Sequence, residues 1–206
     1  MNWNYVIFLI IFFLVLLFSH QVILRIFSRY FHFPIPAFLV RFIDNPLRRR
    51  IQPPKQIIAW IDIQEGMDII EIGPGAGTFT IEAAKAAGSK GKLDAVDIQP
   101  KVIKILEKRI EKEKISNIIA QVAAASELPF PDSSFDRVFM VGVLGETPDK
   151  VKVLLECNRV LKDDGLLAIG ELLPDPDCPR RKTVLKWTNQ AGFELNSKHS
   201  GFLHYL

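Results

Sequence analysis

The chain has 206 residues, enough for one ordinary domain with an appendage but not for several domains. A formal charge of +3 is too mild for a protein that grips nucleic acid, so no nucleic-acid partner is expected. The two cysteines, Cys157 and Cys178, lie far apart without a C-x-x-C pattern, which argues against a disulfide framework and against a cysteine-built metal site.

Tyr5 to Phe18 is unbroken apolar sequence, and Val22 to Leu24 extends it past Ser19, His20 and Gln21. Trp3 to Leu24 is about long enough to cross a bilayer core of ~30 Å at 1.5 Å per residue, and Trp3 and Tyr5 fall where an interfacial aromatic belt sits. A cleaved signal peptide is disfavoured, because a basic start and a small-x-small cleavage site are missing. Phe, Leu and Ile on every face disfavour a buried soluble helix. One transmembrane helix is therefore expected, an anchor over residues 1–24 that meets the membrane through residues 3–24. Lys and Arg are absent before Arg25. Then Arg25, Arg29, Arg41, Arg48, Arg49, Arg50 and Lys55 face Asp44 alone. The positive-inside rule accordingly expects a single-pass membrane protein with the following domain on the cytoplasmic side.

Residues 25–52 mix aromatic and basic side chains, and Pro34 and Pro36 interrupt any continuous helix. This juxtamembrane segment is expected to lie on the membrane surface, to pack as a linker on the domain, or both. Pro53 to Ile63, PPKQIIAWIDI, reads as a helix with Ile57, Ile58 and Ile61 on its buried face.

The stretch IIEIGPGAGTFT, Ile69 to Thr80, organises the rest of the chain. Ile69, Ile70 and Ile72 end a buried parallel strand. Gly73, Gly75 and Gly77 make a tight turn, and Thr78 opens a helix that Gly88 ends. Strand, glycine turn and helix let a ligand touch backbone directly and meet unpaired N–H groups. The spacing is G-x-G-x-G and not the dinucleotide G-x-G-x-x-G, so a nucleotide-dependent oxidoreductase is disfavoured. A glycine-rich turn with another ligand, or none, is the alternative to a nucleoside cofactor at this point.

Leu93 to Asp97 is the second strand, and Asp97 at its tip either accepts hydrogen bonds from ribose hydroxyls or caps the next helix. Pro100 to Lys114 is a helix with Val102, Ile103, Leu106 and Ile110 inward. Asn117 to Val122 and Phe135 to Val141 are the third and fourth strands. In VGVLGETPD, Gly142 and Gly145 leave room beside Glu146. Glu146 either steers a cation or takes a proton, or lies in a first helical turn favoured by the dipole. Thr147 or Asp149 caps a helix reaching Leu161, and Leu166 to Leu172 is the fifth strand. Glu171, Asp175 and Asp177 then crowd one carboxyl edge, with Pro174 and Pro176 between them. Turn chemistry explains them better than a metal, and no metal is expected. Pro179 to Ala191 is the last helix. Gly192 to Lys198 and Phe202 to Leu206 form a closing hairpin with Gly201 in its turn, and His199 and His204 within it lack metal-site spacing. The β-α alternation gives an α/β, doubly wound, seven-stranded and mostly parallel sheet with a C-terminal antiparallel hairpin.

Three motifs carry a family resemblance. Glu71 stands two residues before Gly73, making E-x-G-x-G-x-G. Leu128 to Asp136 reads L-P-F-x-D-x-x-F-D, and Glu156 to Gly165 reads E-C-N-R-V-L-K-D-D-G. In this order they resemble the class I S-adenosylmethionine-dependent methyltransferases, of the type acting on quinones, sterols and small molecules. The resemblance covers residues 53–206, the expected methyltransferase domain, and implies a Rossmann-like fold with S-adenosyl-L-methionine as cofactor. It assigns Glu71, Gly73, Gly75, Gly77 and Thr78 to the cradle of the cofactor's amino-acid part. Asp97, Ile98, Ala124, Ala125 and Val141 follow around its nucleoside, and Glu146 is the candidate catalytic residue. A helix before the first strand covers the site in this family, and Pro53–Ile63 is expected to be that cover. The chain departs from the pattern at Ala124, where many members carry an Asp that accepts the adenine amino group. One such hydrogen bond is worth about 0.5–1.5 kcal/mol. The implied function is methyl transfer to a small-molecule or lipid-like, membrane-associated acceptor. The alternative is a membrane-tethered, non-catalytic protein that keeps the fold and acts through protein interactions.

Overall fold

A computed structural model of the chain describes residues 3–30, 35–173, 175, 177–201 and 203–206, without the side chains of 17, 18, 21, 22, 24–30 and 41. Helix α1 runs from Trp3 to Tyr30, 28 residues, and its described apolar side chains from Trp3 to Leu16 are exposed on several faces. The apolar stretch expected to span a bilayer passes through Leu17, Phe18, Gln21, Val22 and Leu24, whose side chains lie outside the described set. Among the described residues no helix is long and apolar enough to cross a membrane, so the structure does not support the expected transmembrane helix and single-pass topology.

Two short helices come next, α2 over Ala37–Ile43 and α3 over Pro46–Ile51. Asn45 caps α3 by accepting the Arg48 N–H at 3.0 Å, and Pro46 supplies a pre-set φ at its first position. Helix α4, Pro54–Ile61, buries Ile57, Ile58 and Ile61, the face expected from its spacing, and ends where Asp62 turns left-handed.

The α/β unit then runs β1 Asp68–Ile72, α5 Thr80–Ala87, β2 Lys92–Asp97, α6 Pro100–Glu113, β3 Ile118–Val122, β4 Phe135–Val141, α7 Lys150–Val160, β5 Leu161–Leu172, α8 Arg181–Gln190, β6 Ser200–Gly201 and β7 His204–Tyr205. The strands form one seven-stranded sheet in the order β3-β2-β1-β4-β5-β7-β6. The first five pair in parallel, and β7 joins β5 and β6 antiparallel. Ile69, Leu93, Ala95, Phe139 and Val141 face a core shared with α4, α5 and Leu106 of α6. Ile70, Ile72, Val96, Val138 and Met140 face a second core with α7 and α8. Burial on both faces is why the central strands are mostly apolar rather than strictly alternating.

The Leu-Pro-Phe loop before β4 is clamped from α7. Glu156 Oε1 accepts the Leu128 N–H at 2.7 Å, and Arg159 donates to the carbonyls of Leu128 at 3.1 Å and Phe130 at 2.8 Å.

Three boundaries differ from expectation. Helix α5 begins at Thr80 and not Thr78, because the glycine turn continues to Phe79. Strand β5 begins at Leu161, and Asp163–Gly165 lies within it as an irregularity. Pairing slips there from Phe135↔Leu161 to Arg137↔Leu166. In the closing hairpin residues 192–198 join no strand, and Gly201 sits in β6 with Leu203 at φ 66 in the turn. His199 and Leu206 exchange backbone hydrogen bonds, and Trp60 stacks on His199 at 5.0 Å and His204 at 5.7 Å.

Candidate active site

Strands β1 and β4 lie side by side, while β2 and β5 flank them on opposite sides, so a crevice opens beyond their carboxyl ends. Gly73 and Gly75 floor it at φ 70 and 56, in the left-handed region that disfavours a side chain. A Cβ on Gly73 would overlap Val143 Cγ2, and one on Gly75 would stand 3.6 Å from Val40 Cγ1. The crevice widens into a cavity of about 450 Å³, within the range of small-molecule sites. Nine of the expected site residues line it: Gly73, Gly75, Thr78, Asp97, Ile98, Ala124, Ala125, Val141 and Glu146.

Glu71 and Gly77 do not line it. A Cβ on Gly77 would lie 2.7 Å from Leu106 Cδ1, so this glycine admits α6 to the loop. Glu71 is buried behind the turn, paired in register with Ala95 and Phe139. Burial raises its pKa to about 8 against the opposing pull of Thr80 and Arg109. Among the described residues Glu71 Oε2 and Thr80 Oγ1 have no hydrogen-bond partner of good geometry, so Thr80 pulls on Glu71 through a poorly aligned contact.

Asp97 ends β2. Burial raises its carboxyl pKa, and the Gln99 N–H, donated to Oδ1 at 2.8 Å, opposes that rise. Ala123 N–H bonds the Asp97 carbonyl at 3.1 Å, and Glu127 N–H bonds that of Ala124 at 3.0 Å. These bonds fold residues 123–126 into a turn along the cavity wall. Glu146 lies in a 3-10 turn, Leu144–Glu146, and accepts the Ile35 N–H at 3.3 Å. Burial pushes its carboxyl up to about 7, with Asp177, Asp175 and Asp97 adding in the same direction. Glu171, buried at the end of β5, is likewise raised to about 8, chiefly by burial. Among the described residues no group of His, Cys, Asp and Glu is placed to hold a metal ion.

The cover comes from an unexpected element. Pro54–Ile61 packs into the core beside α5 and contributes nothing to the cavity lining, which instead includes Ile35, Val40, Ile43, Asp44 and Arg48. Ala37 and Val40 pack on Val102, and Gln99 Nε2 donates to the Ile35 carbonyl at 3.0 Å. Asp44 accepts from Arg49 at 2.7 Å and from Arg109 at 2.8 Å. Burial alone would raise Asp44, but hydrogen bonds from Arg49 and Thr78 and the charges of Arg49 and Arg109 hold it near 2. The one sequence signal for this arrangement is a lone acid within a run of basic residues.

A sequence-family profile described as a methyltransferase domain matches residues 63–190, and the chain belongs to that family. Demethylmenaquinone methyltransferase of Geobacillus stearothermophilus is 31% identical over 119 residues, 58% of this chain and 51% of that protein. The Listeria welshimeri protein of the same name is 31% identical over 130 residues, 63% of this chain and 55% of that protein. The chain thus spans about half the length of the curated relatives it matches. In fold it is similar to a SAM-dependent methyltransferase from Aquifex aeolicus, with a TM-score of 0.79 at 24% identity over 84% of this chain and 96% of that one.

The family implies S-adenosylmethionine, and the residues present fit it. The glycine floor at Gly73 and Gly75 leaves backbone bare at the cavity wall. Asp97 stands at the tip of β2, and an unpartnered carboxylate oxygen lies behind the turn. Glu71 does not reach the cavity itself, so it would act on an ammonium group through the loop.

Proposed function

We propose that this chain is an S-adenosylmethionine-dependent methyltransferase acting on a small, lipophilic, quinone-like acceptor. One observation carries the reading: the glycine cradle, Asp97 and Glu146 open into a single, largely apolar chamber. When bound, the cofactor supplies a sulfonium-activated methyl group that a nucleophilic atom takes in line. The chain's own residues position and shield. Gly73, Gly75 and Thr78 would hold the amino-acid end, and Asp97 would accept the ribose hydroxyls. The turn at 123–126 would receive the base through backbone, since Ala124 supplies no polar side chain. Val40, Val143 and Val153 line the chamber and would exclude water from the transfer. Glu146, titrating near neutrality, would take the proton that an acceptor hydroxyl or acidic carbon loses as its bond to the methyl group forms.

The names of the relatives support a quinone-type acceptor. The apolar sequence from Trp3 to Leu24 supports a membrane tether, and the basic residues after it support a domain on the cytoplasmic side. The test is transfer of a radiolabelled methyl group from S-adenosylmethionine to demethylmenaquinol in detergent. Label in the organic phase is expected. No label, despite S-adenosylhomocysteine binding, would remove the quinone acceptor from the reading. No binding at millimolar ligand would remove the cofactor, in favour of a tethered protein acting through partners.

A further inference from the structure

Helix α2 is apolar on two faces. Ala37 and Val40 face inward onto Val102 and the cavity roof. Phe38 and Phe42, one helical turn apart, are 71% and 75% exposed, and Leu47 at the start of α3 is 67% exposed. Exposed aromatic pairs of this kind on a short helix are costly in water unless something covers them.

The surroundings indicate what covers them. Arg49, Arg50 and Lys55 are exposed nearby. Asp44 is the one acid between Ile35 and Lys55, and its carboxylate is taken up by Arg49 and Arg109 with its side chain 10% exposed. Glu82 and Glu113 act on Arg49 from α5 and α6, which leaves Arg50 and Lys55 as the outer cations. Rings beside such a basic rim fit an anionic lipid surface, where the rings enter the acyl boundary and the cations meet phosphates. The patch also continues in sequence from α1, whose described side chains from Trp3 to Leu16 are mostly apolar and exposed.

We propose that the outer face of α2–α3 docks on an anionic bilayer surface, so that one seven-residue helix touches lipid with Phe38 and Phe42 and roofs the active-site cavity with Val40. A lipophilic acceptor then enters beside the roof without crossing water. The docking stands on the surface alone, and only its role as an acceptor route rests on the proposed methyl transfer.

The test uses the full chain reconstituted in vesicles of phosphatidylcholine and phosphatidylglycerol, some carrying a nitroxide quencher on the acyl chain. An environment-sensitive fluorophore is placed at Phe38→Cys or, in the turn before β2 at the amino ends of the strands and so away from the cavity, at Lys90→Cys. Cys178→Ser serves as background, and Cys157 is buried. Quenching at 38 is expected to exceed that at 90 by about threefold or more, and to fall on Arg50→Glu with Lys55→Glu. Equal quenching at the two positions overturns the docking, whether α1 alone or a protein partner is then what holds the chain. S-adenosylhomocysteine titration of the same samples separates the readings. Retained binding with equal quenching sinks only the docking, and lost binding with strong quenching at 38 sinks only the cofactor assignment.

Discussion

Arg109 Nη1 donates to Asp44 Oδ2 at 2.8 Å and to the Ala76 carbonyl at 2.7 Å, so one guanidinium ties the roof of the cavity to its glycine floor. Arg109→Ala should loosen the roof without unfolding the domain, since neither core depends on this side chain. Charge-assisted bonds of this kind are worth about 1.5–3 kcal/mol, so affinity for S-adenosylhomocysteine should fall roughly tenfold or more by calorimetry. Unchanged affinity would show that the roof is held without this link.

The link should be insensitive to neutral pH. Asp44 is depressed to about 2 in the folded chain, below its unfolded value near 3.9. Its stabilisation is therefore fully present above about pH 4 and is lost only as pH falls through 2.

Glu71 behaves in the opposite sense. Its folded value of about 8 lies above the unfolded ~4.3, so between these the folded state holds the extra proton. Stability should decline as pH rises from 5 to 8 in the cofactor-free protein. Glu171 and Glu146 contribute with the same sign. Glu71→Gln should flatten the decline in thermal midpoint without abolishing it. An unaltered slope would mean that Glu71 is ionised in the folded state.

Asp97→Ala should weaken S-adenosylhomocysteine binding by about tenfold or more while leaving the fold intact. Strand β2 is held by backbone pairing to β1 and β3, and among the described residues the Asp97 side chain adds the bond from the Gln99 N–H. A folded variant that binds normally would return Asp97 to the role of helix cap.

Glu146→Gln tests the proton acceptor. If Glu146 must be ionised, methyl transfer should rise through about pH 7 in the wild type, and the variant should lose that limb with little change in cofactor affinity. A limb that survives the substitution would leave Glu146 with its bond to Ile35 as a structural role.

The central sheet is legible in the sequence because both faces of β1, β2 and β4 are buried, which makes each strand mostly apolar, with Glu71, Asp94 and Arg137 buried among the apolar residues, and closed by glycine or by Asp97. Strand β4 occupies the expected Phe135–Val141. The start of β5 is not legible, because Asp163-Asp164-Gly165 has the composition of a turn and only pairing with β4 keeps it extended. The glycine floor is legible from spacing alone. The roof is not, because Asp44 reaches Arg109 and Ile35 reaches Glu146 across long stretches of chain that periodicity does not report. The helix at Pro54–Ile61 is legible from its isoleucine spacing, but family position points to a cover where those three isoleucines build core.

The clamp of Glu156 and Arg159 on the Leu-Pro-Phe loop divides labour along the chain. The loop takes its shape from Leu128 and Phe130, downstream of the residues that line the cavity. The side chain at 124 is thus released from any duty in holding the loop, and the base contact can be rewritten there as an independent module. Ala124→Asp should restore an acceptor for an adenine amino group and tighten S-adenosylhomocysteine binding severalfold, about 0.5–1.5 kcal/mol, with the thermal midpoint little changed.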